Sequence, residues 1–109
     1  MSDGHLPSAQ EILLDSGLFQ HWQGPFGAVP VQFIGELQQG QYVYFRARGN
    51  KIAMQIASSE EHWQNSDYLA EFEEPYFDAE GGPLQAGLCP NDFCANKIVA
   101  WVKCFMAAL

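Results

Sequence analysis

Between residues 29 and 57 the chain alternates along three short runs and breaks the pattern at two tight turns, and no other feature constrains its folding as much. The alternation predicts strands over residues 29–37, 41–48 and 51–57, with Pro30 near the start of the first, where a missing backbone donor is tolerated. Residues 38–40 and the Gly49-Asn50 pair supply the turns. Connections of two or three residues cannot make a parallel crossover, so an antiparallel meander is expected over parallel strands. Along the second run, Tyr42, Tyr44, Arg46 and Arg48 share one face and Val43, Phe45 and Ala47 the other. The apolar set is expected to meet Ile52, Met54 and Ile56 in the core. The tyrosine–arginine face is expected to be either a semi-polar surface or a face covered by another element. A buried arginine there would need a carboxylate partner.

The flanks supply helices. Ser8 and Glu11 form an S-x-x-E capping box, and Ile12, Leu13 and Leu14 give the first helix an apolar patch that Leu18 and Phe19 extend. Gly17 marks the end of that helix. His21-Trp22 reads as loop, and Gly24-Pro25-Phe26-Gly27 as a fixed turn. After the sheet, Ser58 or Ser59 can cap a short helix opening at Glu60-Glu61. Tyr68, Leu69 and Phe72 fit one helical face, with a strand over residues 68–72 as the competing reading; Pro75 ends the segment either way. Residues 79–90 are rich in turn formers. Asn91 can cap a last helix over residues 92–107, whose Phe93, Ile98, Trp101, Val102 and Phe105 recur at helical spacing. Such a helix should cover the Val43/Phe45/Ala47 face. The predicted class is α+β: a three-stranded antiparallel meander packed by an N-terminal and a C-terminal helix, with one or two short helices between. Residues 1–109 read as a single domain with residues 1–6 frayed.

Composition limits what such a domain can do. An apolar share of 48% separates the chain from disordered sequences. Thirteen acids against five bases give a net charge of -8, which argues against direct nucleic-acid binding, because phosphates need a basic footprint. No apolar run is long enough to span a membrane. No basic stretch followed by an apolar one opens the chain, so a signal peptide is not expected, although a mature secreted domain stays open. No lysine or arginine occurs between Ile52 and Asn96, while acids recur there among Trp63, Tyr68, Leu69, Phe72, Tyr76 and Phe77. This stretch should fold with its acids outside.

Chemistry is harder to read. Cys89, Cys94 and Cys104 have no zinc-site spacing, and Cys94 and Cys104 would lie roughly 15 Å apart along one helix. Cys89 and Cys94 could bond only if the helix start allows it; free thiols in a reducing cytoplasm are the expectation. Cys94, near the start of the last helix, is an alternative reactive thiol. No nucleophile-elbow, dinucleotide or P-loop motif occurs, no metal or cofactor is expected, and His62, Glu61 and Tyr44 are only weak catalytic nominees. Arg46 and Arg48, beside Tyr44, form a candidate anion clamp, with pairing to the protein's own acidic segment as the preferred alternative. The leading functional expectation is a small cytoplasmic interaction protein, of inhibitor, immunity or adaptor type. It would bind a basic partner through Glu71, Glu73, Glu74, Tyr76 and Asp78. Two alternatives stand: a small enzyme or anion-ligand domain with a cleft beside Arg46/Arg48, and a self-associating subunit such as a homodimer joined through a strand edge.

Overall fold

A computed structural model describes residues 6–27, 30–76 and 89–109. Its elements run α1 (Ala9–Ser16), β1 (Phe19–Phe26), β2 (Val31–Leu37), β3 (Tyr42–Arg48), β4 (Lys51–Ala57), α2 (Glu60–Gln64), β5 (Tyr68–Pro75) and α3 (Asn91–Ala107). The class is α+β as expected, but the meander has five antiparallel strands in the order β1-β2-β3-β4-β5 rather than three.

The central hairpins follow directly from the sequence pattern. Val43, Phe45, Ala47, Ile52, Met54 and Ile56 are all fully buried on one face, and β3 pairs with β4 so that Phe45 lies opposite Met54. α3 covers that face with Cys94, Ile98, Trp101, Val102 and Phe105, which recur every three or four residues along one stripe. Trp101 stacks on Phe72 at 5.5 Å between ring centroids and 17° between planes, and tilts against Phe45 at 6.3 Å. α1 packs on α3 and buries Leu13. Its capping box is complete, with the Glu11 backbone N–H donating to Ser8 Oγ at 3.2 Å and Ser8 N–H donating to Glu11 Oε1 at 2.8 Å. α3 starts one residue earlier than its pattern suggests. Pro90 stands at its N-cap without a side-chain hydrogen bond, and Asn91 is already helical rather than capping.

The two additional strands are the edges. β1 takes in His21-Trp22 and most of the Gly-Pro segment that read as loop and turn. Its alternation is broken by two register shifts against β2, and the Gly24-Pro25 bond is cis. At Gly24, a Cβ would stand 2.6 Å from the Gln32 carbonyl oxygen, so only glycine lets the two strands approach there. Gln10 of α1 pins this edge: its amide nitrogen donates to the Gly24 carbonyl at 2.8 Å, and its amide oxygen accepts from Trp22 Nε1 at 2.9 Å. β5 resolves the helix-or-strand ambiguity in favour of a strand longer than the residue 68–72 alternative. Tyr68, Ala70, Phe72 and Glu74 are half-buried, while Leu69, Glu71, Glu73 and Pro75 are exposed. Once β4 offers a pairing edge, the Ala70-Glu71-Phe72-Glu73 alternation prevails over the helical spacing of Tyr68, Leu69 and Phe72.

Candidate functional site

With α1 and α3 on one side, the other face of the sheet is covered locally by the single turn-and-a-half of α2. Ser59 caps α2, its Oγ accepting from the His62 backbone N–H at 3.2 Å. Trp63 folds onto the sheet over Tyr44 at 4.8 Å and Tyr42 at 5.5 Å between centroids, and its Nε1 donates to Gln55 Oε1 at 3.2 Å. Strand register then arranges the remaining side chains in rows. His21, Glu36 and Tyr42 lie in one row; Gln23, Ile34, Tyr44, Gln55 and Glu71 in the next; Phe26, Gln32, Arg46, Ala53 and Glu73 in the third. Arg48 and Lys51 close the far end.

Two clefts of opposite charge result. The first, of about 430 Å³, is lined by His21, Gln23, Ile34, Glu36, Tyr42 and Glu60. His21 Nε2 meets Glu36 Oε1 at 2.5 Å. Burial raises the Tyr42 pKa above its ordinary value, and the nearby Glu60 and Tyr44 add to the shift, so Tyr42 stays a neutral hydroxyl in an acidic cleft. The second cleft, of about 320 Å³, is lined by Arg46, Arg48, Gly49, Asn50, Lys51 and Ala53. It gathers three of the chain's five basic residues. Four to six residues of β3 separate Tyr42 from Arg46 and Arg48, so the clefts stand roughly 13–20 Å apart along the strand.

The expected pairing of the arginines with the protein's own acids is not what the described residues show. Their ion pairs are His21–Glu36, Lys51–Glu73 at 2.8 Å, His62–Asp67 at 3.9 Å and Lys97–Glu74 at 3.0 Å, and neither arginine belongs to one. The reason is register. β4 lies between β3 and β5, which puts the acids of β5 about two strand spacings, or roughly 10 Å, from the β3 backbone and nearer to lysines on β4 and α3. Arg46 Nε is buried with no hydrogen-bond partner among the described residues. Tyr44, the third member of the candidate clamp, turns its hydroxyl to Gln32 Nε2 at 2.9 Å.

The acidic interaction set is divided. Glu71 and Glu73 are exposed on the open face, whereas Glu74 faces α3 and pairs with Lys97. Tyr76 packs its ring against Phe93 at 5.2 Å, and Asp78 lies outside the described residues. Of the weak catalytic nominees, His62 has its Nδ1 on Ser59 Oγ at 2.8 Å and lines neither cleft. The acidic cleft depends on His21, which the sequence pattern places in a loop and the structure in β1. Glu36, in alternation with Gln32 and Ile34, was the one visible signal of it. Searches against protein families, curated proteins and solved structures find no match for this chain.

Proposed function

We propose that this protein is a protein-interaction module that docks an extended, mixed-charge segment of a partner across the open face of its sheet. A basic side chain of the partner enters the Glu36/Glu60/Tyr42 cleft, and an acidic group meets Arg46 and Arg48. The single observation behind this reading is the pair of oppositely charged clefts on one open face, set on either side of the Tyr44–Trp63 aromatic pair. Exposed Phe26 and Leu69 offer apolar contact on strands at opposite edges of the same face. Among the described residues neither guanidinium has a carboxylate partner, while Glu73 and Glu74 pair with Lys51 and Lys97, and this favours an external anion at the arginines. Glu71, exposed beside Leu69, extends the acidic contribution toward a basic partner, while Glu73 is already paired with Lys51.

Selection from a random extended-peptide library tests this. The binders should carry a basic and an acidic residue about four to six positions apart, the spacing that matches the clefts, and their affinity should fall as salt rises. Binders with no charge preference and no salt dependence would refute it. A second reading, a small-anion site confined to the cationic cleft, is favoured by Arg46 Nε, buried with no hydrogen-bond partner among the described residues. It predicts that citrate or inorganic phosphate alone competes fully with the selected peptides.

A further inference from the structure

The thiols of Cys89 and Cys94 lie apart from the docking face and take no part in it. Cys94 is on the buried stripe of α3, fully enclosed, and Cys89 precedes the helix by two residues and is 4% exposed. Pro90 is the extended N-cap of the helix, and across it the two Sγ atoms sit 2.8 Å apart, less than one ångström beyond the S–S bond length of about 2.05 Å. Cys104, ten residues further along the same helix, is exposed and roughly 15 Å from Cys94 by helical rise. All three cysteines are free thiols, as the sequence predicts, and the helix start brings Cys89 and Cys94 into the contact that the sequence left open.

We propose that Cys89 and Cys94 are a reversible dithiol–disulfide pair that exchanges with a low-molecular-weight disulfide of the glutathione class. The Cys89 thiolate attacks one sulfur of the small disulfide, forming a mixed disulfide and expelling one thiolate, which takes up a proton. The Cys94 thiol then gives up its proton and attacks Cys89 Sγ, releasing the second small thiol. Two protein thiols are oxidised, and one disulfide is reduced to two thiols. The order follows from access: Cys89 keeps some exposed surface, while Cys94 is fully enclosed. The hydrogen bond shared by the two sulfurs lowers the Cys89 pKa and, with burial, raises that of Cys94, in the same sense. Cys89 is thus the attacking sulfur, and Cys94 resolves the intermediate from the position it already holds.

The test uses the full chain, reduced, freed of reductant, and equilibrated without oxygen in glutathione buffers of graded redox poise. Samples are acid-quenched, unfolded, alkylated and weighed. Toward oxidising poise, the pair should go from two alkyl groups to none, with a loss of about 2 Da there and no retained glutathione, while Cys104 stays alkylated or carries one glutathione. Peptide mapping should show Cys89 joined to Cys94. The exposed-site variant Cys104→Ser should titrate in the same way, and Cys94→Ser should retain glutathione on Cys89. Two alkyl groups at the pair in wild-type protein at every poise, or a linkage through Cys104, would overturn the proposal without reference to whether any variant folds.

Discussion

Trp101 is where the account of the fold is most exposed to test. It joins α3 to two strands at once, stacked on Phe72 and tilted on Phe45, with Lys97 Nζ 5.5 Å from its ring centroid. Only 8% of it remains accessible. Trp101→Ala removes most of a side chain that buries about 150–250 Å², which at about 25 cal/mol per Å² amounts to roughly 4–6 kcal/mol before the retained Cβ is subtracted. Direct experience with buried tryptophan and phenylalanine gives about 3–5 kcal/mol, including the unfilled cavity. Against a domain stability of about 5–15 kcal/mol that is a large fraction. For a chain of this size it corresponds to a fall in Tm of roughly 12–25 °C. Urea unfolding followed by far-UV circular dichroism should show a lower midpoint with an unchanged slope. Trp101→Phe should recover most of the loss, because a ring still lies against Phe72. A loss below about 1 kcal/mol, within the range of an ordinary surface substitution, would mean that α3 is not seated on β3 and β5 in this way.

Two further outcomes follow from particular residues. Gly35 lies on the core face of β2, where a Cβ would stand 2.9 Å from Phe19 Cδ1 and 3.0 Å from Phe33 Cε2, two rings that meet edge to face at 5.3 Å. Gly35→Ala should therefore destabilise by about 1–3 kcal/mol through overpacking, measured by urea unfolding, although alanine outranks glycine in most strands. Tyr42 should ionise above the ordinary tyrosine value of about 10 in an alkaline absorbance titration, and Tyr42→Phe should remove that component. Because its folded pKa is raised, the folded state holds the proton that the unfolded state loses. The Tyr42 contribution is thus complete below the unfolded tyrosine value of about 10 and declines as pH climbs above it.

The central meander was legible because Val43, Phe45, Ala47, Ile52, Met54 and Ile56 obey a period of two, and short glycine turns leave one topology open. The last helix was legible for the same kind of reason, an apolar stripe at helical spacing. β1 was not, because register shifts and the Gly24-Pro25 pair destroy its alternation, and it is held by partners distant in sequence, such as Gln10. β5 was half legible: its residues satisfy a helix and a strand equally until β4 provides an edge. The clefts were the least legible part. Arg46 and Arg48 could be placed on one face from spacing alone. That β5 would lie two strands away, leaving them without its acids, depended on strand order. The acidic cleft required both the unseen β1 and the placement of α2 on the outer face. The Cys89–Cys94 proximity depended on where α3 begins to within a residue.

The docking reading rests on charge recognition across the open face, and a charge-swap cycle tests it most directly. A library-selected peptide and its counterpart with the acidic residue changed to lysine would be titrated calorimetrically against wild-type protein and against Arg48→Glu, an exposed position at the cationic cleft. Each single reversal should weaken binding about tenfold or more, and the double reversal should restore much of it, for a coupling of about 1 kcal/mol or larger. Additive losses with no restoration would contradict it, because the peptide's acid would then be bound somewhere other than the arginine cleft.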